Sequence, residues 1–331
     1  MGLFTRLGDA ELAEIAAAFG LGTIRRVQPI LAGTINSNFV IETGEPDAPA
    51  DPRGMWFIRV NEGKSVTDVA WEAELVTALA HHGVNAPPPA TALDGRRYAP
   101  LAGTDKWVSV FPWRVGRHLG SDEITADIAT EFGAALAGLH LAGLELPVAS
   151  RRTSIYDHAH LVARHAQFAG SADPVLARAI GVLGEELAFA GAAAAVRAAA
   201  SHGIIHGDLF RDNVLWDAGR IVAILDFEQA SGGSFVYDLA VCINDWCWTG
   251  APRLDIAAAL LAAYQRVRPL TEADREAFVI EVRAAAARFT ITRITDVYLA
   301  KVYNPDKDFR AFLARCDAWR GPALGQLSSL L

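Results

Sequence analysis

Residues 206–213 read His-Gly-Asp-Leu-Phe-Arg-Asp-Asn, and the next fifteen read VLWDAGRIVAILDFE. This stretch limits what the chain can become more than any other. It follows the apolar run Gly203-Ile204-Ile205. The residues after it read as a strand, a turn at Asp217-Ala218-Gly219, and a second strand with Asp226 at its end. A hairpin of this kind carries Asn213 and Asp226 toward the same end. Asp208, Asn213 and Asp226 are then three oxygen-bearing side chains that can converge. Taken singly, Asp208 and Asp212 would serve as turn carboxylates, and Asn213 would satisfy backbone groups. The set is also what phosphoryl transfer needs. One carboxylate accepts a hydroxyl proton, while an amide oxygen and a second carboxylate hold Mg2+ on nucleotide phosphates. In this reading His206 holds the loop backbone and Asp212 is a loop or capping residue.

The surrounding pattern is α+β. A helix is expected over 9–19, capped by Asp9, with Leu12, Ile15 and Phe19 on one face and Gly20 and Gly22 at its end. Strands are expected at 23–31, 38–43 and 55–60, the first two joined by the turn AGTINS. Residues 44–54 form a Pro/Gly/Asp loop. Ser65 and Asp68 make a capping signal for a helix ending near Gly83. Asp94-Gly95 marks a hairpin turn, with 106–113 as the closing strand. Beyond Gly116 helices fit 122–142, 155–169, 174–200, 236–248, 253–267, 271–301 and 307–319, with a β insert at 204–226. Thr271 and Asp274 repeat the capping signal. The division expected is a β-rich lobe over 1–114 and a mostly helical lobe over 115–331.

Composition removes several classes. With 331 residues, 52% hydrophobic and 21% charged, the chain can bury the cores of about two domains. A net charge of -8 argues against a nucleic-acid partner. The three cysteines, Cys242, Cys247 and Cys316, show neither a disulfide framework nor metal-ligand spacing. There is no signal-peptide pattern and no apolar run of about 20 residues, so a cytoplasmic protein without membrane partners is expected. Oligomeric state cannot be read.

The pattern H-x-D-x-x-x-x-N followed by D-F resembles the catalytic loop and metal motif of the protein-kinase-like superfamily. Asp226-Phe227-Glu228 stands where protein kinases have D-F-G. With HGD, it resembles the small-molecule branch that includes aminoglycoside and choline kinases. YDLAVCINDWCW (237–248) is similar to a segment of bacterial homoserine kinases of the phosphotransferase-like type. So are the opening MGLFTRL, GTINSNFVIET and RFTITRITD (288–296), and the resemblance runs from about residue 1 to 315. It implies a two-lobe protein-kinase-like fold, with an antiparallel sheet in the N-lobe. It also implies ATP-dependent phosphorylation of the side-chain hydroxyl of L-homoserine, on the route to threonine, with ATP and Mg2+ as cofactors. Asp208 would be the base, Asn213 and Asp226 the metal ligands, and Asp238 a structural acid bracing the catalytic loop. On spacing alone, Asp238 is equally an ordinary carboxylate at a helix start.

On the nucleotide side, small and polar residues at Gly33, Asn36, Ser37 and Asn38 would let backbone amides approach phosphates, although many turns look like this. Arg59 stands where kinases carry a lysine, and Glu72 is its expected helix partner. Lys64 lies past the strand and is expected to be solvated. Backbone groups of Phe111 and Trp113 would meet the adenine edge. On the acceptor side, Arg293, with Arg288 beside it, would take the carboxylate, and Asp245 the ammonium. A pair of surface arginines on an amphipathic helix is the plainer alternative. Trp246 and Trp248 are expected in the core or a pocket wall. Arg211 fits either a phosphate contact or a solvated position. Two alternatives stay open: a kinase for another small hydroxyl compound (an aminoglycoside, choline or an amino alcohol), and a nucleotide-binding pseudokinase, motivated by Arg59 and Glu228.

Overall fold

The computed structural model describes residues 4–31, 35–44, 54–147 and 152–331. The chain divides into two compact units. One runs to Arg117 and includes Val222–Leu225; the other comprises His118–Ile221 and Asp226–Leu331.

The first unit contains α1 (Asp9–Phe19), β1 (Ile24–Ile30), β2 (Ser37–Thr43), β3 (Met55–Asn61), α2 (Val66–His81), β4 (Ala99–Pro100) and β5 (Trp107–Pro112). The strands form one antiparallel sheet in the order β1-β2-β3-β5-β4. Alternation sets its faces. Phe39, Ile41, Ile58, Val60, Val108 and Val110 pack with Leu12, Ile15 and Phe19 of α1. Arg59, Ser109 and Phe111 instead share a small pocket with Val69, Glu72 and Val76 of α2. Ser65 caps α2 by accepting from the Asp68 N–H at 3.2 Å. The cap of α1 is Gly8, not Asp9: the Glu11 carboxylate reaches back to the Gly8 N–H at 3.0 Å, and Asp9 is the first helical residue. The Asp94-Gly95 turn closes between Ala92 and Arg96, ahead of β4. The connection into β5 is instead the turn from Leu101 to Lys106.

The second unit contains α3 (Ala126–Leu144), α4 (His158–Ala166), α5 (Ala177–Ala192), α6 (Ala194–Ala199), β6 (His202–Ile205), β7 (Val214–Asp217), the start of β8 (Arg220–Ile224, which passes into the first unit at Val222), β9 (Ser231–Ser234), α7 (Phe235–Trp246), α8 (Leu254–Val267), α9 (Glu272–Arg293), α10 (Phe309–Trp319) and α11 (Pro322–Ser328). The helix expected over 174–200 breaks at Ala193 into α5 and α6. That expected over 271–301 ends as an α-helix at Arg293 and continues as a π-helical turn, Ile294–Tyr298. Thr271 and Asp274 cap it reciprocally. β9 was not anticipated because SGGS has no apolar alternation. Its glycines let it lie against β6: a Cβ on Gly233 would fall 2.4 Å from Ile205 Cδ1. Gly133 does the same for helix packing, since a Cβ there would fall 2.3 Å from the Leu260 carbonyl oxygen of α8. Phe132 of α3 stacks on Trp246 of α7 with centroids 3.8 Å apart. Cys242, Cys247 and Cys316 are buried free thiols. No helix among the described residues is long and apolar enough to cross a membrane.

Candidate active site

β6 delivers the chain to His206, and the loop 206–213 ends in a 3-10 turn, Arg211–Asn213, that runs straight into β7. A loop of this kind exposes backbone donors that need acceptors. The fully buried Asp238, in the first turn of α7, supplies them: its carboxylate accepts the N–H groups of His206 and Gly207, each at 2.8 Å. It also pairs with His140 Nε2 at 3.1 Å, and His140 Nδ1 meets the Tyr264 hydroxyl at 2.7 Å. Burial works to raise the Asp238 pKa, but the bond to His140 and the loop N–H groups hold it below the usual carboxylate value. Gly207 sits at φ +77, with the Gln229 carbonyl 3.1 Å from where a Cβ would be, so only glycine fits without strain. The His206 ring is buried against Phe227, and Nδ1 lies 3.4 Å from the Asp208 N–H. Leu209 is anchored through its carbonyl, which accepts from Trp246 Nε1 at 3.0 Å.

The loop presents Asp208 with its side chain about one third exposed (31%), while the facing Arg288 of α9 is 4% exposed. Arg288 Nη1 lies 3.3 Å from Asp208 Oδ1. The guanidinium lies over two rings, 3.7 Å from the centroid of Phe289 and 4.1 Å from that of Tyr156. Burial opposes its charge, yet Tyr237, Asp208 and Tyr156 raise its pKa above the usual arginine value. Burial pushes the Tyr237 hydroxyl up to about 12. Asn213 Nδ2 donates to the Asp208 carbonyl at 2.8 Å, which turns its amide oxygen away from the loop backbone. Asp226 follows β8 in the left-handed region at φ +63, so the hairpin formed by β7 and β8 delivers Asn213 and Asp226 at one end. Asp212 is exposed.

Arg211 has a definite place. Its N–H and its Nε both donate to Asp245 Oδ2, at 2.9 and 3.0 Å. Asp245 therefore fastens the loop 206–213 to α7, and its carboxylate is engaged there rather than open to an ammonium. Arg293 donates to the Asp308 carbonyl at 3.2 Å and lies over the Phe312 ring at 4.4 Å. Trp246 and Trp248 are both core residues.

In the first unit Arg59 and Glu72 pair at 2.7 Å, both buried. Lys64 is not simply solvated: its ammonium stands 3.9 Å from the other Glu72 oxygen. Ser37 is fully buried. Its hydroxyl accepts from the N–H groups of Phe4 and Thr5 at 2.8 and 2.9 Å and donates to Glu62 at 2.7 Å. Asn36 accepts from the Glu62 N–H at 3.2 Å. Both side chains thus tie the sheet to its flanking segments. Asn38 lies in β2, opposite Arg59 in register. Gly33 lies outside the described residues. The Trp113 N–H donates to the Met55 carbonyl at 3.1 Å, so that donor continues the β3–β5 ladder and is not free for an adenine. Phe111 faces Phe57 across the same ladder and lies 5.2 Å beneath Arg59.

A family model described as a phosphotransferase enzyme family matches residues 26–270. The chain belongs to the phosphotransferase enzyme family. It is thus a small-molecule phosphotransferase enzyme. This phosphotransferase is 34% identical over 303 residues to the homoserine kinase of Methylocella silvestris, covering 89% of this chain and 88% of the relative. It is 32% identical over 300 residues to the homoserine kinase of Bradyrhizobium sp. strain ORS 278, with coverage of 89% and 88%. Among solved structures it resembles an amicoumacin kinase in complex with AMP-PNP and Ca2+ (TM-score 0.73, 14% identity, 95% of this chain and 94% of the other). It also resembles a microcompartment-associated aminopropanol kinase (TM-score 0.72, 19% identity, 98% and 100%). These likenesses show the protein-kinase-like α+β fold, with an antiparallel N-terminal sheet and a helical C-terminal part.

Several residues of the phosphotransferase site carried no local sequence signal. His140 reaches Asp238 from α3, and Tyr264 of α8 meets His140. Tyr156, just ahead of α4, stacks on Arg288. Arg152 donates to the Ala230 carbonyl at 2.9 Å and also to that of Glu228, holding the segment after Asp226. A histidine on the apolar face of α3 was the one available hint of a buried polar relay.

Proposed function

We propose that the enzyme transfers the γ-phosphoryl group of ATP to the side-chain hydroxyl of L-homoserine, giving O-phospho-L-homoserine and ADP. The observation that carries the reading is the partly exposed Asp208 carboxylate, set on a loop whose backbone is fixed by Asp238 and Asp245. The curated relatives support homoserine as the acceptor. Asp208 orients the hydroxyl and takes its proton as the oxygen bonds to phosphorus; the bond from phosphorus to the ADP oxygen breaks. No covalent phospho-enzyme is involved.

The donor set suits a magnesium ion. Asn213 offers an amide oxygen, because its NH2 group is occupied by the Asp208 carbonyl, and Asp226 offers a carboxylate. Both are hard oxygen donors. Mg2+ held by Asn213 and Asp226 would neutralise the triphosphate. Arg59, positioned by Glu72, and the backbone of the turn from Gly33 to Asn38 would bind ATP. Arg288 and Arg293 would supply the cation for the acceptor carboxylate.

The test is a coupled ADP-release assay across L-homoserine, choline, ethanolamine, hydroxylysine and aminoglycosides. A preference for L-homoserine is expected. Preference for another acceptor would overturn the substrate and leave the family untouched. Magnesium-dependent ATP binding without transfer to any acceptor would identify a nucleotide-binding module instead.

A further inference from the structure

The pair between Arg288 and Asp208 is built differently from two other arginine pairs of α9. Arg283 forks onto Glu186 through two bonds of 2.9 and 2.8 Å, and Arg197 forks onto Glu281 through two of 2.9 Å. Those are two-point contacts of the kind that hold a fold together. Arg288 makes one bond, at 3.3 Å, the long end of the range. Its Nε–H is buried and has no hydrogen-bond partner. A guanidinium carries five donors, and a buried one left unpaired is costly. Its guanidinium lies over the rings of Phe289 and Tyr156, and its fork of donors suits a two-oxygen anion. Asp208 meanwhile is capped by a cation at the oxygen that has to accept a proton.

We propose that Arg288 is the specificity-determining residue and that it releases Asp208 only to an acceptor bearing a carboxylate. The acceptor carboxylate draws the guanidinium into a two-point contact, and Asp208 is uncapped in the same event. A hydroxyl compound without a carboxylate leaves the pair closed. Binding and activation are therefore one exchange of ion pairs, and the substrate class is that of small hydroxy acids and hydroxy amino acids. This rests on Asp208 being the proton acceptor for L-homoserine.

The experiment measures kcat/KM for L-homoserine and for 3-amino-1-propanol, the same hydroxyl amine without its carboxylate. The intact enzyme should favour homoserine by on the order of 10^4-fold, as sites that leave a buried polar group unpaired with the wrong substrate do. Arg288→Met should lower homoserine turnover by ~100-fold or more and raise that of 3-amino-1-propanol by ~10-fold, collapsing the discrimination. Arg288→Lys, which keeps the charge without the fork, should act mainly on the homoserine KM and sit between the two. Equal losses on both acceptors in Arg288→Met and Arg288→Lys would show a residue that only supports Asp208, and would overturn the proposal. Unchanged homoserine kinetics would overturn it as well. An intact enzyme that ignores homoserine would bring down the assignment of substrate along with it, a result separable from the other two.

Discussion

Asp208 and Asp238 are both carboxylates of the same loop system, yet their surroundings give them opposite work. Asp238 is fully buried with its oxygens filled by two backbone N–H groups and His140. Asp208 is one third exposed and touched by a single arginine nitrogen. Asp208→Asn should therefore cut kcat by ~10²–10⁴-fold, the usual worth of a general base, while the unfolding midpoint holds. A turnover within tenfold of the parent would contradict its role. Asp238→Ala leaves the His206 and Gly207 N–H groups and His140 without their acceptor. It should cost about 3 kcal/mol or more, read as a drop in denaturation midpoint, with activity falling through the loop rather than through chemistry.

At the level of elements, a tight helix contact between α3 and α8 is made by a residue with no side chain. Gly133→Ala would place a methyl 2.3 Å from the Leu260 carbonyl oxygen, so α3 and α8 must part or bend. A loss of about 1–3 kcal/mol is expected, measurable by urea denaturation, with the midpoint moving and the slope unchanged. A neutral result would mean the helices adjust freely there. The same distinction explains what was legible in the sequence. The loop, its hairpin and the capped helices are written in contiguous residues, where periodicity and turn chemistry act locally. Arg288 reaching Asp208 and Asp245 reaching Arg211 join positions 80 and 34 residues apart, so only the packing of helices reveals them. The contacts of the Ser37 side chain were illegible for a related reason. Nothing local says that Phe4, Thr5 and Glu62 will engage its hydroxyl. β9 was missed because a glycine strand is defined by what it can approach.

For the whole molecule, the buried relay from His140 sets a pH response. Burial, opposed by Asp238, holds His140 below its ordinary value of 6.5, so it stays neutral in the folded protein at pH values where an unfolded chain would protonate it. The unfolded state then binds the extra proton, and stability falls as pH drops below about 6.5, by up to about 1.4 kcal/mol per pH unit for this one group. Unfolding midpoints between pH 7.5 and 5.5 should show that decline, and His140→Gln should flatten it. An unchanged slope in the variant would assign the decline to other groups.

Cys242, Cys247 and Cys316 are the molecule's entire complement of sulfhydryls, and all are sealed inside the helical unit. Burial drives each thiol upward, that of Cys316 to about 12, so almost none is thiolate at neutral pH. Alkylating reagents should find nothing to modify until the protein is denatured. A single cysteine placed on the surface would then be the only reactive handle, and a fluorophore or spin probe could be attached there without first removing the native ones.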